Sequence, residues 1–105
     1  MTDSDRTAPR LSVVLAVRNG ADTIAAQLLA LSRQASSAPW ELLVVDNGCT
    51  DSTIDIVRTF DDSIPTIRVI DARDRAGLAS ARNVGAAAAR SDLLAFCDAD
   101  DEVDE

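Results

Sequence analysis

The 105-residue chain contains no histidine, no lysine and no tyrosine. Without histidine it offers no Ser-His-Asp triad, no imidazole base and no histidine metal ligand. Without lysine it has no P-loop, and no G-x-x-x-x-G-K-[ST] run is present. All 10 basic residues are arginines, and they form no basic patch, which argues against a nucleic-acid partner. Aromatic residues are scarce, with one Trp and two Phe. The two cysteines, Cys49 and Cys97, form no C-x-x-C pair and are too few for a disulfide framework. They read as reduced packing residues, with no base nearby in the pattern to make either a nucleophile. No apolar run approaches the ~20 residues that span a bilayer. The opening MTDSDRTAPR is polar and lacks the apolar stretch of a secretory signal. No G-x-G-x-x-G follows the first apolar run, so a dinucleotide fold of the usual kind is not supported.

What is present is globular in character. Hydrophobic residues make up 47% of the chain, enough for one small domain. Eighteen residues are alanine, so the helices are thin and the core is light. The net charge of -8 is a local feature. Six of the last eight residues are acids, while the preceding 97 hold 12 acids against 10 bases. That acidic end follows an apolar run without a closing element, and the chain is expected to be truncated.

Four short apolar runs read as strands: Leu11–Val17, Glu41–Asp46, Thr66–Ile70 and Leu93–Cys97. The first two do not alternate strictly, which suits strands buried on both faces. Between the runs lie helical patterns. Ile24, Leu28 and Leu31 recur at helical spacing behind Asp22 as a cap, with the helix fading by Ser36 and stopped by Pro39. A short helix carries Ile54 and Val57, capped by Asp51 or Ser52. A third runs from Leu78 to Arg90, and Gly85 inside it allows a close backbone approach to a sheet or a ligand. The pattern β-α-β-α-β-α-β with short connections predicts an α/β, Rossmann-like parallel sheet with flanking helices.

Ligands of such sheets bind outside the carboxyl ends of the strands. Those ends carry Arg18-Asn19, Asp46-Asn47, Asp71 and Asp98-Ala99-Asp100, so polar groups converge on one edge from topology alone. Asp98 and Asp100 suit a hard divalent cation, Mg or Mn, although a solvated acidic loop reads the same way. Asp46 suits either a turn or an acceptor for a nucleobase N–H or a ribose hydroxyl. Arg82 is a phosphate contact, a partner for a strand-end acid, or a solvent-facing residue. Arg73 and Arg75, in the preceding loop, have the same options.

Four segments together resemble the family 2 glycosyltransferases of GT-A type. They are Leu11 to Gly20 (LSVVLAVRNG), Leu42 to Thr53 (LLVVDNGCTDST), Gly77 to Gly85 (GLASARNVG) and Leu94 to Asp101 (LAFCDADD). The resemblance implies strand order 3-2-1-4 and the N-terminal half of a GT-A fold. Residues 1–10 would be a polar tail and residues 11–105 a truncated nucleotide-sugar-binding portion. It implies that Val17 to Asn19 line the nucleoside pocket and that Asp46 holds the base, usually uracil. Arg82 would lie near the donor, Asp98 at the ribose or the metal, and Asp100 on the Mg or Mn bridging the diphosphate. Members transfer a sugar from a nucleotide-diphosphate sugar, here with UDP favoured over GDP or dTDP, to an acceptor hydroxyl with inversion. Their carboxylate base lies well downstream of the D-x-D segment, beyond Glu105, so no catalytic residue is assigned. The glycan or lipid-linked acceptor would be met by a missing C-terminal half, and the chain alone is expected to be inactive. Two positions depart from the pattern: Val17-Arg18-Asn19 stands where an aromatic-Asn pair is frequent, and Cys49 where Ser is usual.

The Ala, Arg and Asp bias without lysine suggests a high-GC bacterial gene, and the reduced cysteines lean towards the cytoplasm, at the inner membrane face in a longer parent. The competing readings are a non-catalytic truncated remnant and another Mg-dependent phosphate-handling α/β domain. The latter wants a phosphorylatable or nucleophilic aspartate at the first or central strand and usually a lysine; the first strand has no aspartate at its end, and the chain has no lysine. An exposed fourth strand predicts self-association into a homo-oligomer.

Overall fold

The computed structural model describes residues 10–33, 40–64, 66–74, 77–91 and 93–98, with Leu78 and Asp98 described by their backbone alone. Asp100, Arg75, Pro39 and the N-terminal tail to residue 9 lie outside the described residues. In chain order the elements are β1 (Leu11–Val17), α1 (Ile24–Arg33), β2 (Trp40–Asp46), α2 (Thr53–Arg58), β3 (Ile67–Asp71), α3 (Gly77–Ala88) and β4 (Leu94–Asp98). β3 and β4 each start and end one residue later than their apolar runs suggest. Asp71 and Asp98 are therefore the last residues of strands rather than the first of loops.

The strands form one sheet in the order β3-β2-β1-β4, with every pair parallel. The two central strands carry the unbroken apolar runs because both of their faces are covered. On one face Val13, Leu15, Val17, Leu42 and Val44 pack with Ile24, Leu28 and Leu31 of α1 and Val57 of α2. On the other face Val14, Ala16, Leu43 and Val45 pack with Ala81 of α3. The expected close approach at Gly85 is to the sheet. A Cβ there would lie 2.5 Å from Val14 Cγ1 and 2.8 Å from Val45 Cγ2. The absence of a side chain at Gly85 lets α3 settle directly on β1 and β2.

The amino end of the sheet holds a buried polar cluster that pattern reading missed. Glu41 is fully buried. Its Oε2 accepts from the Ser12 hydroxyl at 2.6 Å and from the Arg90 N–H at 2.8 Å. Its Oε1 accepts from Arg68 Nη2 at 3.0 Å and Nε at 3.2 Å. Arg68 Nη2 also donates to the Ala88 carbonyl at 2.7 Å, and the Ser91 N–H donates to the Ser12 hydroxyl. A basic side chain on the last carbonyls of α3 and an acid on the N–H beyond it tie the end of the helix to the sheet.

The outer strand β4 is less covered. Leu93, Leu94 and Phe96 are exposed, whereas Ala95 and Cys97 pack against the larger apolar cluster. Among the described residues no helix is long and apolar enough to cross a membrane.

Candidate functional site

Parallel pairing aligns the strand ends. Val17 lies beside Asp46, and Asp46 beside Asp71, in one row across three strands. Asp98 is in register with Ala16, one step back from that row. Four of the residues expected at the site, Val17, Asn19, Asp46 and Asp98, are thus brought to one edge by the topology. Arg82 sits half-buried in the middle of α3. Asp100 lies outside the described residues.

Asp46 is only 7% exposed, and its two oxygens have different surroundings. Oδ1 accepts from the Gly48 N–H at 3.0 Å and the Cys49 N–H at 2.7 Å, an Asx turn that reverses the chain. Gly48 adopts φ +94°, a conformation that favours glycine. Oδ2 faces Arg73 Nη2 at 3.9 Å, beyond hydrogen-bonding distance. Both sequence readings of Asp46 therefore have an atom available: one oxygen makes the turn and the other retains acceptor capacity. Arg73 pairs mainly with Asp71, whose Oδ1 takes its Nε at 3.1 Å and its backbone N–H at 3.0 Å. Those bonds from Arg73, the backbone N–H foremost, hold the Asp71 carboxyl below its ordinary range.

The loops after β1 and β2 are stitched together. Asn19 adopts φ +56°, and its Oδ1 accepts from the Thr50 N–H at 2.7 Å, the Asp51 N–H at 3.3 Å and the Thr50 hydroxyl at 3.3 Å. In return the Gly20 N–H donates to Thr53 Oγ1 at 2.9 Å and the Ala21 N–H to Asp51 Oδ2 at 3.2 Å. Asp51 also accepts from the Thr53 hydroxyl and the Thr53 N–H. The hydroxyl bond is the main reason its carboxyl lies below the ordinary range. The cap of α2 thus comes from Asp51, while Ser52 makes no side-chain cap bond.

Cys49 lies between the two loops. Its thiol accepts the Asn19 N–H at 3.3 Å and donates to the Val17 carbonyl at 3.6 Å. Burial pushes the thiol pKa up, and the neighbouring Asp46 carboxylate adds to the rise. The thiol thereby bridges the two loops as a hydroxyl would.

Among the described residues no three His, Cys, Asp or Glu side chains gather as a metal site. The candidate donors at the end of β4, Asp98 and Asp100, are all-oxygen ligands, which is the donor chemistry a hard divalent cation requires.

The comparisons with known proteins agree with this architecture. Residues 12–105 match the sequence profile described as glycosyl transferase family 2. The validoxylamine A glucosyltransferase of Streptomyces hygroscopicus subsp. jinggangensis is 40% identical over 91 residues, covering 86% of this chain and 22% of that protein. Staphylococcus aureus TarS in complex with UDP-GlcNAc superposes with a TM-score of 0.77 at 26% identity, covering 87% of this chain and 26% of that one. The Pyrobaculum calidifontis mannosyltransferase PcManGT, in complex with GDP-Man and Mn2+, superposes with a TM-score of 0.75 at 28% identity, covering 88% of this chain and 28% of that one. The chain spans about a quarter of the length of the curated relatives it matches. The parallel sheet in 3-2-1-4 order is that of the GT-A glycosyltransferases. The family profile covers almost the entire sequence, and the chain belongs to glycosyl transferase family 2.

Proposed function

We propose that the chain binds the nucleotide-sugar donor of an inverting glycosyltransferase. The observation that carries this reading is the half-satisfied Asp46 carboxylate at the end of a central strand. An acceptor oxygen with remaining capacity, in a largely buried position, suits a nucleobase N–H. Val17 and Asn19 line the nucleoside pocket, and Asp98 approaches the ribose. Arg82 supplies positive charge for the diphosphate. UDP is the favoured nucleotide, with GDP and dTDP as alternatives, since TarS is solved with UDP-GlcNAc and PcManGT with GDP-Man.

Asp98 and Asp100 would hold a Mg or Mn ion, which would help neutralise the charge of the departing diphosphate. In the complete reaction an acceptor hydroxyl oxygen bonds to the anomeric carbon as the bond to the diphosphate oxygen breaks. The nucleoside diphosphate leaves, the hydroxyl proton goes to a carboxylate base, and the anomeric centre inverts. That base is assigned to no residue of this chain, and the part proposed for these residues is to bind and orient the donor. The same reading places the protein in the cytoplasm and has the open β4 edge support self-association.

Calorimetric titration with UDP, GDP and dTDP, each with and without Mg2+, tests the proposal. Saturable binding that Mg2+ strengthens is expected. Failure of all three nucleotides to bind would overturn it.

A further inference from the structure

We propose that Asn19 is a positioning residue, whose side-chain carbonyl latches the loop after β2 onto the loop after β1 and so holds Asp46 in place for the nucleotide. The inference rests on the donor-binding reading above and assigns Asn19 an indirect part in it. An amide oxygen has two lone pairs. Three donors already converge on Asn19 Oδ1, namely the Thr50 and Asp51 N–H groups and the Thr50 hydroxyl. That oxygen has no capacity left for a ligand.

The latch runs in both directions. The backbone N–H groups of Asn19, Gly20 and Ala21 donate in turn to the side chains of Cys49, Thr53 and Asp51. Asn19 is also suited to the backbone it occupies, because φ +56° is tolerated by Asn better than by most residues. The Cys49 that receives the Asn19 N–H also gives its own N–H to Asp46 Oδ1. The Asn19 backbone N–H thus reaches the Asp46 carboxylate through Cys49, while the side-chain carbonyl fixes the adjoining Thr50-Asp51 segment of the same loop. Surface loops ordinarily lose conformational freedom when a ligand orders them, and that loss weakens binding. Two loops already joined have less freedom to lose.

Two variants separate this role from direct contact. Asn19→Gly accepts the positive φ but removes the acceptor. Asn19→Asp keeps an acceptor oxygen in place. Amide hydrogen exchange of the nucleotide-free chain and calorimetric titration with UDP and GDP would be measured for both variants and for the unchanged protein. Asn19→Gly is expected to speed exchange at Thr50 and Asp51 about ten-fold and to weaken nucleotide binding about five- to ten-fold. Asn19→Asp should restore most of both. Unchanged exchange in Asn19→Gly would overturn the latch. Faster exchange with undiminished affinity would show that the latch does not serve the site. Protected amides in Asn19→Asp with affinity as low as in Asn19→Gly would make Asn19 a direct ligand instead. Absence of nucleotide binding in the unchanged chain refutes the donor reading and the service to it, while exchange still decides the latch.

Discussion

The two ends of the sheet are both polar, and they differ in what remains unsatisfied. At the amino end Glu41 is fully enclosed, and each of its oxygens takes two donors from within the chain. At the carboxyl end Asp46 is almost as buried, yet among the described residues two backbone N–H groups converge on one oxygen while the other faces Arg73 at 3.9 Å. A buried carboxylate whose lone pairs are filled from inside holds a fold together. One with a vacant acceptor can also bind something. The contrast gives the first cluster an architectural role and supports the recognition role proposed for the second, although both are acids on the same strand.

The comparison can be broken most forcefully at Glu41. Glu41→Ala leaves Ser12, Arg68 and the Arg90 N–H without their shared acceptor, and should cost about 3–5 kcal/mol of stability. Urea unfolding measures this, and a loss under 1 kcal/mol, on the scale of a single neutral hydrogen bond, would show the cluster to be dispensable. A smaller effect is expected at the other end. Asp46→Asn retains an acceptor for the turn but can place an N–H where the second oxygen stood. Nucleotide affinity should fall about ten-fold, roughly 1.4 kcal/mol, with the urea midpoint little changed. Equal affinity, or a stability loss matching that of Glu41→Ala, would erase the distinction between the two ends.

The smallest expected effect concerns pH. Burial raises the Glu41 pKa, but the bonds from Ser12, the Arg90 N–H and Arg68 outweigh it and hold the carboxyl below its ordinary 4.5. A depressed carboxylate stabilises the fold fully above pH 4.5, and that contribution is lost as pH falls through the lowered folded-state value. Unfolding midpoints followed downward from pH 6 should therefore drop more steeply for the natural chain than for Glu41→Gln. Parallel profiles would mean that Glu41 is not the titrating group.

Much of this was legible in the sequence. The runs LSVVLAV and ELLVVD are apolar and β-branched without strict alternation, and they became the doubly covered central strands. The placement of Asp46 and Asp98 at strand ends followed from where the runs ELLVVD and LLAFC stop. Glu41 was not legible, because an acid opening an apolar run looks like a solvent-facing residue. Its partners lie 27, 29 and 49 residues away, and no local pattern brings Ser12, Arg68 and Arg90 together. The Asn19 latch was hidden for the same reason, with its partners 31 and 32 residues distant. Sequence patterns mark which side chains meet the sheet, whereas the pairing of polar atoms across it depends on register.

With Asp46 holding the base as proposed, its divided carboxylate would constrain how this lineage can change its diet of nucleotides. A substitution there would alter that proposed recognition and loosen the Gly48-Cys49 turn together, so the position is a poor one for evolutionary experiment. Neighbours that do not brace that turn with their side chains, such as the exposed Arg18 and Arg73, can vary with far less harm to folding. New base preferences should therefore arise around Asp46 rather than at it.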